Sequence, residues 1–159
     1  MENYISGTVG AIHLLTAVIA LIAGTAVLLL KKGTRTHKRW GYLYVIAMIP
    51  MLVTSFMLYN LFGHFGIFHF AAIVSGLTLI GGMLPIVTKR PKANWMAYHF
   101  SFMYWSVLGL YGAFFSELFT RIPETPFFGM VAIATGMVFG IGGYVFKKKK
   151  AIWFSRFIA

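Results

Sequence analysis

The chain contains no cysteine. That excludes disulfides, thiolate metal sites and covalently attached c-type haem, so any metal or cofactor must be held by His, Met, Tyr or a carboxylate. Acidic residues are almost as scarce: Asp and Glu number 3 against 14 Lys and Arg, and all of them are glutamates, Glu2, Glu117 and Glu124. There is no Walker loop, nucleotide fingerprint, His-Glu-x-x-His or nucleophile elbow, so a hydrolase or kinase reading has no support and enzymatic activity stays open without a motif to carry it. No internal repeat is visible.

Apolar residues are abundant instead. Hydrophobic types make up 59% of the chain and charged types 11%, with a mean hydropathy of +0.80, too apolar for a soluble domain of 159 residues to cover with a wet surface. The implied solvent is lipid. A span uses roughly 20 apolar residues plus a short connection, so the expectation is an all-α, polytopic membrane protein, a five-helix up-and-down bundle forming one transmembrane domain over residues 1–159. The apolar runs place the spans at about Tyr4–Leu30, Trp40–Leu61, Phe65–Thr88, Trp95–Phe119 and Phe127–Phe146. The first starts with acidic Met1-Glu2 and is too long for a signal-peptide core, so it is read as a retained helix. Pro50 interrupts the second, where Thr54 and Ser55 are placed to help satisfy the freed backbone and a local kink is expected. Residues 151–159 are too short to cross and, with Trp153, Phe154 and Phe157 beside Arg156, are read as an interfacial tail.

A net charge of +11 raises the question of nucleic acid. Position argues against it. The basic residues fall into three groups, Lys31 to Arg39, Lys89 to Lys92 and Lys147 to Arg156, with Arg121 alone elsewhere, and the glutamates lie toward the opposite side. Lys and Arg stay with loops that remain cytoplasmic. The N-terminus is therefore expected outside and the C-terminus inside, in a bacterial cytoplasmic membrane, with the basic loops drawn to anionic lipids. Gly136 and Gly140 form a Gly-x-x-x-Gly on span five, suited to close packing against another span or a second copy of the chain.

Function has to come from residues that lipid would not select. His13, His69, His99 and Glu117 lie within or near the ends of spans, where an ionisable side chain is costly and usually faces the bundle interior. Counting from the basic anchors at 1.5 Å per residue puts His13 and His69 at nearly one level, roughly 27 and 30 Å from the inner side. His99 comes out roughly 10 Å from it, and His64 and Glu117 roughly 37 Å. At helical spacing His13 shares a stripe with Thr16, Ala17, Ala20 and Gly24, and His69 with Ala72, Ile73, Gly76 and Ile80. His99, Met103, Ser106, Ala113 and Glu117 line one face of span four. His64 and His69 point about 140° apart on a continuous helix, so His64 is read as interfacial.

Two imidazoles level with each other on different helices can be the axial ligands of one haem iron. The leading expectation is a membrane-embedded, His-ligated redox centre, with non-covalent haem b held by His13 and His69 and electrons passed to a membrane quinone or a redox subunit. A second, inner site would use His99 with His37 or Met103. The alternatives are a zinc or copper site in which His13 and His69 are joined by Glu117 or a water, a proton relay, or a structural subunit or transporter component with no cofactor, in which the histidines are interhelical hydrogen-bond groups. Met48 with Met51 is the one Met-x-x-Met pair, and methionine is a common gap-filler.

Several segments together resemble a known family. These are His13-Leu-Leu-Thr16-Ala17, Gly33-Thr-Arg-Thr-His37-Lys-Arg-Trp40-Gly41-Tyr42-Leu-Tyr44-Val45, Phe65-Gly-Ile-Phe-His69-Phe70 and His99-Phe-Ser-Phe-Met103. The sequence resembles an uncharacterised family of predicted bacterial membrane proteins, the domain-of-unknown-function family 2306, over most of residues 11–117. The resemblance implies a multi-helix membrane protein and that His13, His37, His69 and His99 match the family's pattern; it implies no established activity. Where members often continue with Ser-Tyr after the Met, this chain has Tyr104-Trp105-Ser106, so from that segment only His99 and Met103 carry over.

Overall fold

The computed structural model describes residues 7–59 and 63–157. Glu2 and the outer ends of the expected first and second spans lie outside the described residues. Five helices follow in order, α1 (Gly7–Leu29), α2 (Arg35–Ser55), α3 (Ile67–Thr88), α4 (Trp95–Phe119) and α5 (Phe127–Phe157). Three are long and apolar enough to cross a bilayer: α1, α3 and the Phe127–Ser155 stretch of α5. Helices of this kind satisfy their backbone groups internally and place the protein in lipid. The other two carry more polar side chains: α2 begins with Arg35, Lys38 and Arg39, and α4 holds His99, Tyr104, Tyr111, Ser106 and Ser116.

The first basic segment is a joint between two helix caps and not an open loop. The Lys32 ammonium donates to the carbonyls of Val27, Leu28 and Leu30 at 2.7, 2.8 and 3.3 Å, satisfying the end of α1. Thr34 then caps α2, its hydroxyl accepting from the His37 backbone N–H at 3.1 Å. This cap starts α2 at Arg35, ahead of the expected Trp40, and puts His37 in the first turn of a helix. The far end of α2 also differs from expectation. Thr54 and Ser55 donate to the carbonyls of Pro50 and Leu52 at 2.7 and 2.6 Å, so these hydroxyls serve the last turn and not the carbonyl that Pro50 releases one turn earlier.

Helix α5 likewise runs beyond the expected end at Phe146. It continues as one helix of 31 residues, about 46 Å at the helical rise, through Lys147 to Lys150, which are good helix formers. Trp153 and Phe154 pack on Phe100 of α4 with ring centroids 5.5 and 5.7 Å away. Residues 151–157 of the stretch read as a separate tail thus continue α5.

Two compact units divide the chain, Met1–Leu77 and Thr78–Ala159, with the boundary inside α3. In the first, α1 packs along α2 as an antiparallel pair. Its buried face is Ala20, Ala23, Gly24 and Val27, while Leu15 and Ile22 are exposed, and α2 buries Tyr44, Ala47, Met48 and Met51. Small residues on one helix and large ones on the other allow close approach without voids. In the second unit, α4 and α5 form another antiparallel pair. The Tyr104 hydroxyl donates to the Gly142 carbonyl at 2.8 Å, and Phe139 lies against Gly112. A mostly apolar groove of about 440 Å³ runs between them, lined by Leu108, Tyr111, Phe115, Met137 and Ile141 among others.

Candidate functional site

Each histidine is best read from the atoms that meet its ring, because the partner of one nitrogen decides what the other can do. His13 in α1 turns its Nδ1 toward α2, 3.1 Å from the Met51 carbonyl and 3.0 Å from the Thr54 hydroxyl. The carbonyl can only accept, and the Thr54 hydroxyl already gives its hydrogen to the Pro50 carbonyl. Both partners therefore require a proton on Nδ1. The stripe expected around His13 is the buried one as far as Ala20 and Gly24.

His99, in the first two turns of α4, has the same tautomer. Its Nδ1–H donates at 2.8 Å to the Gly82 carbonyl of α3. The glycine is needed for the approach: a Cβ on Gly82 would lie 2.5 Å from the Met103 sulfur and 3.3 Å from the Met103 backbone nitrogen. Met103 and Ser106 share the buried face of α4 as expected, but Glu117 does not. Glu117 is exposed and ion-paired with Arg121 one turn on, while the neighbouring Ser116 is the buried residue. Among the described residues no three His, Asp or Glu side chains cluster as a metal site.

His69 has the opposite tautomer. It occupies the third position of α3, where its Nδ1 accepts from the Gly66 backbone N–H at 3.1 Å. This is the geometry in which a Glu or Gln closes a capping box, performed here by an imidazole. Nδ1 is thus unprotonated, the proton sits on Nε2, and that Nε2–H is buried without a hydrogen-bond partner among the described residues. The residue is only 4% exposed. Around it stand the rings of Phe65, stacked at 4.9 Å, Tyr59 at 4.7 Å and Phe56 at 6.2 Å. The expected stripe through Ile73 and Ile80 is not the buried face of α3. Those residues are 42% and 61% exposed, and the buried line runs through His69, Ala72, Ser75, Leu79 and Gly82. His13 meets α2 at Met51 and Thr54, and His69 meets Phe56 and Tyr59 just beyond its end.

His37 is half-buried in the first turn of α2, and exposed His64 donates from Nδ1 to the Phe65 carbonyl at 3.0 Å. His13 and His99 each have Nδ1 held by a backbone carbonyl, as metal-binding histidines usually do. His69 as placed presents a hydrogen and does not fit a ligand. Sequence reasoning missed the atoms that decide this. Thr54 was singled out for Pro50 and not for His13, and Gly66 at three residues before His69 was the local signal for the capping box.

Taken together, the apolar helices, the polar groups turned inward and the basic helix ends define a helical integral membrane protein. A family described as a predicted membrane protein family, DUF2306, matches residues 10–147, and the chain belongs to it. No curated protein and no solved structure matches the chain.

Proposed function

We propose that the chain is a five-span bundle in a bacterial cytoplasmic membrane, N-terminus outside and C-terminus inside, that holds a histidine-ligated redox centre. Non-covalent haem b is the group its donors suit first, with zinc or copper the alternative. The observation that carries this reading is the shared setting of His13 and His99, each with Nδ1–H held by a backbone carbonyl, at 3.1 and 2.8 Å. The lengths of α2 and α4, 21 and 25 residues or about 32 and 38 Å at the helical rise, support their assignment as the additional spans. The three basic groups, at the end of α1, the end of α3 and within α5, support the orientation and a contact with anionic lipids.

When bound, haem supplies a one-electron couple whose potential the surrounding polarity sets. The chain's own residues orient the imidazoles. Met51 and Thr54 fix the plane of the His13 ring, and Gly82 fixes that of His99. The partner would be a membrane quinone or a redox subunit. A cofactor-free structural or transport role is supported by one observation of its own: the same imidazole nitrogens already make interhelical bonds of the kind that hold membrane bundles together.

Visible spectra of the detergent-purified protein, oxidised and then dithionite-reduced, with metal analysis on the same sample, separate these readings. A Soret band with sharp reduced α and β bands is expected, lost or shifted in His13→Ala or His99→Ala while the protein stays monodisperse. A colourless, metal-free preparation from haem-replete cells sinks the redox centre and leaves the structural role.

A further inference from the structure

The redox reading makes no use of the His69 Nε2–H, which is buried with no hydrogen-bond partner among the described residues. A buried N–H without an acceptor costs free energy, so its persistence calls for an acceptor that arrives from outside the chain. We propose that His69, with Phe56, Tyr59 and Phe65, binds the headgroup of a membrane quinone, the Nε2–H donating to a quinone carbonyl.

The chemistry of the wall selects the ligand class. The His69 Nδ1 accepts from the Gly66 N–H, and the three rings around it are uncharged. An anion would meet no compensating charge from these groups, and a cation would meet a donor. A flat, uncharged ring bearing a carbonyl acceptor meets both requirements, stacking on aromatic faces and accepting one hydrogen bond. Metal is excluded at this nitrogen as long as it carries the proton. Access is provided by the rings themselves. Phe65 and Tyr59 are 53% and 43% exposed while the imidazole they cover is buried, so a ligand from the lipid side can displace or intercalate at a ring without opening the core. The site also stands beside His13, since both histidines meet the C-terminal end of α2 and the residues just beyond it. The choice of a quinone among flat carbonyl compounds rests on the redox reading; the donor and the cage do not.

The test is a titration of the full chain in detergent with a short-tailed ubiquinone, followed by calorimetry and by the infrared carbonyl band of the bound quinone, with the visible spectrum recorded on the same samples. The expected result is saturable binding with a lowered carbonyl frequency. His69→Phe should bind about tenfold more weakly and lose the frequency shift, and His69→Gln, which keeps both a capping acceptor and an amide donor, should fall between. Phe65→Leu, at an exposed position, should weaken binding several-fold and keeps the proposal testable if His69→Phe does not fold. Any Soret band should be the same in all of them. A colourless protein that binds quinone in this His69-dependent way supports the site and overturns only the haem reading. Absence of saturable binding overturns the site whatever the colour of the sample. Equal binding by wild type and His69→Phe overturns it, leaving the N–H directed at ring faces. Loss of the Soret band together with quinone binding in His69→Phe also overturns it, since His69 would then be a metal ligand.

Discussion

Replacing Thr54 with Val is the sharpest probe of how α2 holds His13. Valine matches threonine in size, so no cavity opens at a residue that is 7% exposed, and what is lost is the hydroxyl alone. That hydroxyl accepts from His13 Nδ1–H at 3.0 Å and donates to the Pro50 carbonyl at 2.7 Å. The Pro50 carbonyl keeps its helical partner, and His13 keeps the Met51 carbonyl at 3.1 Å. The net loss is therefore close to one hydrogen bond. In a bilayer or detergent such bonds average about 0.6 kcal/mol and reach about 1.7 kcal/mol, so a stability loss near 1 kcal/mol is expected. The functional effect should be larger than this figure suggests, because outer partners of a ligating histidine typically change metal or cofactor affinity by about 10- to 100-fold. If haem is held as proposed, one of two acceptors remains and the expectation is about tenfold weaker haem retention. Thermal unfolding in detergent and haem transfer to apomyoglobin measure the two quantities, and Thr54→Ser should restore both. Unchanged haem retention in a Thr54→Val protein that has lost stability would refute the claim that Thr54 orients a ligand, and an effect on neither would refute the hydrogen bond itself.

Other substitutions address the remaining anchors. Tyr104→Phe removes the one hydroxyl that ties α4 to the Gly142 carbonyl of α5 and should lower stability by about 0.6–1.5 kcal/mol, read from thermal unfolding, with no change in any spectrum. Lys32→Met should fray the end of α1, which hydrogen exchange at residues Val27 to Leu30 would report. The same residue predicts a pH effect with a definite sign. Burial lowers the Lys32 pKa below its ordinary 10.5, so between the two values the unfolded chain binds more protons than the folded one. The cost of burying the charge is present in full below the folded pKa and fades as pH rises toward 10.5. Wild-type unfolding temperature should therefore rise relative to Lys32→Met as pH climbs toward 10.5, and a falling difference would contradict the burial.

Much of the architecture is legible in the chain because lipid is a demanding solvent. Long apolar runs, basic groups at their ends and the absence of strand periodicity leave little but antiparallel helices, and α1, α3, α4 and α5 begin within a few residues of their expected positions where described. The start of α2 and the end of α5 were read less well. Both are decided by local polar chemistry, the Thr34 cap and a lysine run that stays helical, which hydropathy alone scores as loop. Of the candidate site, the identity of the histidines and the inward face of α1 were visible in side-chain spacing. The face of α3 was not, because glycine, alanine and isoleucine alternate around it and the spacing alone does not say which line meets a neighbour.

The sequence by itself determined the class of protein, its helices and the few side chains that lipid does not explain, since all of these follow from composition and periodicity along one dimension. What only the tertiary structure decided is what each imidazole can do. Met51 and Thr54 across a helix pair, and Gly82 beside Met103, place the proton on Nδ1 of His13 and His99, whereas Gly66 places it on Nε2 of His69. Two of these three settings are made by groups 17 or more residues away. A tautomer is set by the partner a ring nitrogen meets, and partners that distant become neighbours only when the helices pack.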